Sequence, residues 1–206
     1  MSLFGPHRWP VALQHGPVGL RALRLDDEAE YHALRRRNDA WTSPWDATRP
    51  GEEEGARWTY PQMVRTVNAD ARAGRSLPWA ITYHEPDEAP VLAGQMTISG
   101  ITYGSARWCS AGYWVDQRLA GRGVVPTALA LAGDYCFDVL HLHRLEVAIR
   151  PENTKSLRVV EKLGFRFEGE RPAYLHVDHA WRDHRVYVLH REELEPAGLL
   201  GRLPSR

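Results

Sequence analysis

The apolar run over residues 18–25 reads as a strand. A helix is expected over 26–38, with Asp26 as its N-cap. Asp26, Asp27, Glu28 and Glu30 crowd its start and Arg35, Arg36 and Arg37 its end, so the charges complement the helix dipole. Residues 41–55 hold Pro44, Pro50, two glycines and the acidic run Glu52, Glu53 and Glu54, which predicts a long loop before a helix over about 57–73. Two β-rich runs, 77–83 and 91–98, flank a polar turn and predict an antiparallel hairpin. Next come a strand over 109–115, a glycine-containing turn, an apolar helix over about 126–139 and a strand over 144–149. A capped helix over 153–163 is closed by Gly164, where a left-handed residue belongs. Strands over 165 to about 168 and over 181–190 precede a frayed tail rich in Leu, Gly and Pro. This order predicts an α/β (α+β) fold, a mixed, mostly antiparallel sheet flanked by helices. There is no internal repeat and no low-complexity tract.

Composition narrows the class. At about 150 residues per domain, 206 residues are read as a single domain over 1–206. The 26 basic and 26 acidic side chains cancel, which argues against non-specific binding to nucleic acid or an acidic membrane. Only Lys155 and Lys162 among the basic residues are not Arg, an excess that also fits a GC-rich genome. Cys109 and Cys136 have neither metal-type nor redox-type spacing, so a disulfide framework is not expected and a reducing cytoplasm fits. No apolar stretch resembles a signal peptide or a membrane span, so no membrane association is expected.

The turn at 121–126, Gly-Arg-Gly-Val-Val-Pro, sits between a predicted strand and a predicted helix. Its glycines permit close backbone approach, and the first helical turn leaves N–H groups unpaired, so a pyrophosphate would fit. Pro126 suits the first turn because it lacks an N–H to leave orphaned. A tight connection with no ligand is the equal alternative on these residues alone. About thirty residues on stands Asn-Thr-Lys-Ser-Leu-Arg-Val-Val-Glu-Lys-Leu-Gly-Phe over 153–165.

Together, Gly-Tyr-Trp-Val at 112–115, this turn and the helix ending in Leu-Gly-Phe resemble the GNAT superfamily of acyl-CoA-dependent N-acetyltransferases. Tyr174-Leu175 with Trp181-Arg182-Asp183-His184 is similar to its RimJ/RimL branch, which acetylates N-termini of ribosomal proteins. The resemblance covers about 92–190. It implies a GNAT-like sheet splayed at the cofactor site and acetyl-CoA as cofactor, without a metal.

The resemblance also implies roles. Val115 lies beside the pantetheine arm, Gly121, Arg122, Gly123, Val124 and Val125 wrap the pyrophosphate, and Thr127 offers a hydroxyl. Two registers fit the turn: Arg118-x-x-Gly121-x-Gly123 matches the wider superfamily, whereas the branch spacing aligns Gly121, Arg122 and Gly123. The branch spacing is the better match, and it leaves Ala120 where the branch has a Gln. Asn153 contacts the pantetheine or phosphate region. Many members carry a Tyr proton donor where Val160 stands. The branch instead has a Ser at the position of Ser156, which is therefore the group expected to bond the CoA sulfur. The alternative is a first-turn serine making only local backbone bonds.

The general base is open. Some relatives carry an acidic residue where Ala173 stands. Glu168 is the first candidate, followed by Glu170 and Glu146, each with a solvated or ion-paired role as its alternative. An α-amine with a pKa near ~8 also has a useful neutral fraction without a base.

Trp41 and Trp45 in the Pro-rich loop, with Tyr174, are the expected acceptor-site residues, while Trp58 and Trp79 more readily serve as core. His176, His179 and His184 with Asp178 and Asp183, and the pair His141 and His143, lack a metal-binding register. The expected activity is direct transfer of acetyl to an amine, most readily the α-amino group of a ribosomal protein, by a monomer or homodimer. A small-molecule amine acceptor and a non-catalytic acyl-CoA-binding module are the alternatives.

Overall fold

A computed structural model describes residues 9–51 and 58–204. The acidic run at 52–54 and the expected helix start at 57 lie outside the described residues. Eight strands form one sheet: β1 (Leu13–His15), β2 (Val18–Ala22), β3 (Leu77–Tyr83), β4 (Val91–Thr102), β5 (Trp108–Val115), β6 (Arg144–Ile149), β7 (Arg166–Val177) and β8 (Ala180–His190). Their spatial order is β1-β2-β3-β4-β5-β6-β8-β7. Every neighbouring pair is antiparallel except β5 with β6.

Alternation along the strands divides the core between two faces. On one face α1 (Glu28–Arg37) and α3 (Tyr60–Arg72) bury Leu34, Tyr60 and Val64 against Ala80 and Leu92, with Trp114 alongside. On the other, α4 (Val124–Asp134) and α5 (Thr154–Lys162) cover Trp79, Met96, Cys109, Leu145 and Val147. Nine of the eleven α4 residues are buried, which is why its sequence is apolar almost all round. The thiols of Cys109 and Cys136 are free and fully buried.

Several boundaries differ from the sequence expectation. A short 3-10 turn, Leu25–Asp27, precedes α1. Asp27 rather than Asp26 is fixed there, because Arg21 holds both carboxylate oxygens at 2.7 Å and the Arg24 amide donates to one. The 41–55 segment is not wholly loop: α2 (Asp39–Thr42) and a 3-10 turn, Ser43–Trp45, occupy its first part. The helix expected from Pro126 begins at Val124, so Pro126 is its third residue, and it ends in a π turn, Tyr135–Val139. Strand β7 runs on to Val177 through two bulges instead of ending near Glu168. The tail is anchored rather than frayed: Leu199 is fully buried, and the Asp134 carboxylate accepts from the amides of Leu199 and Leu200 at 2.6 and 3.1 Å.

Candidate active site

Strands β5 and β6 pair only at Trp108–Arg144, Cys109–Leu145 and Ser110–Glu146 and then diverge. From Ala111 to Val115, strand β5 therefore lacks a partner on that side and exposes backbone donors and acceptors to a V-shaped opening. Both helices that follow these strands start at this opening, so two sets of unpaired N–H groups converge there.

At the first helix, Gly121 and Gly123 have φ of +82° and +79°, a left-handed backbone that L side chains adopt only with strain. The amides of Gly121, Gly123, Val124 and Val125 have no hydrogen-bond partner among the described residues. Such a run of free amides at a helix N-terminus suits an anion. The Arg122 guanidinium is turned toward the β3–β4 hairpin, where Nη1 meets Glu85 Oε1 at 2.6 Å. Thr127 is buried within the first turns of α4. Asp116 anchors the segment: its carboxylate, 2% exposed, accepts from Arg37 and Arg118 at 2.8 Å. Burial alone would raise its pKa, but the hydrogen bonds from Arg118 and Arg37 prevail and hold the carboxyl well below the usual range.

At the second helix, Asn153 is the N-cap, its Oδ1 accepting from the Ser156 amide at 3.1 Å. Ser156 lies four residues before Val160, which is fully buried, so its side chain faces the sheet. Across from it on β5, Tyr113 shares the face of Ala111 and Val115. Its hydroxyl is buried without a hydrogen-bond partner.

The segment after α1 closes the opening on the opposite face. The Trp41 indole N–H donates to the Val115 carbonyl at 3.1 Å, and Lys155 Nζ lies 3.7 Å from the Trp41 ring centre. Arg150 stacks over Trp45 at 5.2 Å and donates to the Pro44 carbonyl at 2.8 Å. Beyond, Ala47 bridges Val177 and the Thr48 amide donates to the His176 carbonyl, pinning this segment to the β7–β8 hairpin. Tyr174 accepts from Arg171 at 2.8 Å and packs edge-on against His184. Burial lowers the pKa of His184, whose Nδ1 donates to the Arg182 carbonyl at 2.9 Å in the neutral form.

The structure thus gathers Val115, the 121–127 turn, Asn153, Ser156, Trp41, Trp45 and Tyr174 around one opening. Glu168 lies apart. Arg144 grips both its oxygens at the start of β6 and holds its carboxyl below the usual range. Arg144 pairs with Trp108, seven strand positions from Val115, roughly 20 Å away. Glu170 bonds Arg185, and buried Glu146 has its oxygens occupied by Arg144 and Arg171. Trp79 is core and Trp58 is half exposed. No metal-binding group of His, Cys, Asp and Glu occurs among the described residues, and no helix there is long and apolar enough to cross a membrane. The motifs in the sequence do not mark Tyr113, Lys155 or Arg150 as site residues. Strand alternation, which puts Tyr113 on the face of Val115, was the available signal for the first.

Comparison with known proteins places this geometry. A family model described as an acetyltransferase (GNAT) domain matches residues 18–166. The ribosomal protein uS5-alanine N-acetyltransferase of Escherichia coli (strain K12) is 28% identical over 168 residues, 82% of this chain and 83% of that protein. The probable N-acetyltransferase YjcK of Bacillus subtilis (strain 168) is 35% identical over 98 residues, 48% of this chain and about half, 54%, of its own length. Mycobacterium smegmatis RimJ in complex with CoA-disulfide superposes with a TM-score of 0.83 at 36% identity, over 94% of this chain and 93% of that one. The chain belongs to the GNAT acetyltransferase family.

Proposed function

We propose that this chain transfers acetyl from acetyl-CoA to the α-amino group of a protein N-terminus, with a ribosomal protein as the leading acceptor. The observation that carries the reading is the divergence of β5 from β6 beneath two helix N-termini, walled on the far side by Trp41, Trp45 and Tyr174. The uS5-alanine acetyltransferase and the CoA-bound RimJ supply the acceptor class and the cofactor by likeness.

The residues fit the group. The amides of Gly121, Gly123, Val124 and Val125 receive the pyrophosphate, the free edge of β5 through Val115 receives the pantetheine arm, and Thr127 and Asn153 flank it. Bound acetyl-CoA supplies the activated acyl carbon. Ser156 donates a hydrogen bond to the departing sulfur, since Val160 has no proton to give. The amine loses its proton to solvent rather than to Glu168 or Glu146, whose charges are committed to arginines. With a pKa near ~8, roughly a tenth of an α-amine is already neutral at pH 7.

Charge at the mouth favours a peptide over a polyamine. Lys155, Arg150 and Arg171 line it, and the carboxylates of Asp46 and Glu152 beside it are paired with arginines. With these carboxylates engaged, a polycation gains less from them than from free anions, whereas a single α-amine followed by backbone carbonyls finds donors.

The test is thiol release and peptide mass gain with purified protein, acetyl-CoA, peptides beginning with Ala or Ser, and a polyamine panel. Both cysteines are buried, so the thiol signal reports CoA. Acetylation of the peptide terminus is expected. Absence of both acetyl-CoA binding and thiol release overturns the reading, and preferred turnover of polyamines overturns the acceptor.

A further inference from the structure

Burying a hydroxyl without a partner forfeits its hydrogen bonds to water with nothing in return, so natural proteins seldom do it without a use. Among the described residues, Tyr113 Oη is the one buried side-chain N or O atom without a hydrogen bond. It projects from β5 on the same face as Val115, in the stretch where β5 has lost β6 as a neighbour. The Ser156 hydroxyl lies beside it and is the one group that eases its ionisation, but the two make no hydrogen bond of ordinary geometry. Ser156 Oγ has no partner of its own either, while its backbone is fixed by Asn153. Two unengaged hydroxyls thus meet where the sulfur would leave.

We infer that Tyr113 is a positioning residue, whose phenol donates to Ser156 Oγ and so turns the Ser156 proton outward to the leaving sulfur. A hydroxyl that accepts one hydrogen bond while donating another is held in one rotamer and becomes a stronger donor. In the transfer itself, the amine nitrogen forms the C–N bond, the C–S bond breaks, and its electron pair goes to sulfur. The proton lost by the amine balances the one the sulfur finally takes up. Tyr113 keeps its own proton throughout, because burial pushes the phenol up and makes a phenolate costly there.

This inference rests on the proposed function, and the experiment separates the two. Tyr113→Phe removes only the oxygen. The expected result is a fall in kcat of about tenfold, with the Kd for acetyl-CoA changed by less than about twofold and the melting temperature unchanged or raised. Ser156→Ala should slow turnover by at least as much, and the double variant should be no slower than Ser156→Ala alone, since Tyr113 acts only through Ser156. Wild-type turnover with an unaltered rate in Tyr113→Phe overturns the inference and leaves the function standing. So does a rate loss that adds fully to that of Ser156→Ala, or one accompanied by a lowered melting temperature. A wild-type protein that neither binds acetyl-CoA nor turns over removes both.

Discussion

The indole N–H of Trp41 donates to the carbonyl oxygen of Val115 at 3.1 Å, joining the segment after α1 to the end of the free strand edge. Lys155 from the first turn of α5 rests on the same ring, so Trp41 ties both sides of the opening together. A carbonyl oxygen has two lone pairs, so Val115 can accept from the indole and still receive a second donor. The contact is therefore compatible with a ligand on that edge.

Trp41→Phe separates the two contacts, since it keeps a ring under Lys155 but loses the donor. One neutral hydrogen bond is worth ~1 kcal/mol, so kcat/KM for a peptide should fall about fivefold. Trp41→Ala also removes the ring and should cost about a hundredfold, mostly through the peptide KM. Steady-state kinetics at saturating acetyl-CoA measure both. Equal losses in the two variants would mean that the ring contributes nothing.

Gly94 faces Val115 across the β4–β5 ladder, and a Cβ there would meet the Trp114 carbonyl oxygen at 2.1 Å and Val115 Cα at 2.9 Å. Both are backbone atoms of the edge that lines the opening and cannot swing aside. Gly94→Ala should cost ~3 kcal/mol, the upper end for overpacking, and weaken acetyl-CoA binding in the protein that still folds. Denaturant unfolding and calorimetric titration check the two effects. Wild-type stability would show that the strands can separate locally.

Glu168 shows where a sequence motif and a site part company. Its Glu-Gly pair fits the branch pattern, but its carboxylate serves Arg144 and stays ionised. Glu168→Gln should leave kcat and its pH profile within about twofold and remove at most ~1 kcal/mol of a partly exposed ion pair. A fall in kcat of tenfold or more across pH 6 to 9, with the protein still folded, would restore it as the base.

The sequence carried the cofactor side of the site further than the acceptor side. The turn glycines and the Asn-x-x-Ser cap are local signals, because their backbone geometry is set by neighbours within five residues, and the motifs could be read in line. Strand order and the opening between β5 and β6 come from pairings over dozens of residues, which composition does not encode and only the family likeness supplied. Trp41 and Trp45 were legible as aromatic residues in a Pro-rich loop, but not their partners Lys155 and Arg150, more than a hundred positions away. Strand β7 reads as shorter in the sequence than it is, because Gly169, Pro172 and bulges interrupt its alternation.

Asp116 links acid stability to the site. Its folded pKa lies below the ordinary carboxylate value of about 3.9, so the unfolded chain binds its proton first as pH falls. The stabilisation is therefore fully present above about pH 5, declines as pH falls through 4, and is lost once the folded carboxyl is also protonated. Asp116→Asn removes the charge at every pH and leaves Arg37 and Arg118 facing a neutral amide at a position 2% exposed. It should cost about 2 kcal/mol at pH 7, less than a fully buried pair because both guanidiniums reach solvent. The gap between wild type and variant should narrow as pH drops toward 3. Because Asp116 holds the end of α1 against the segment leading into the glycine turn, acetyl-CoA affinity should fall in parallel at pH 7. Urea unfolding at a series of pH values tests the first effect and titration the second; a gap that stays constant down to pH 3 would show that Asp116 does not carry the acid dependence.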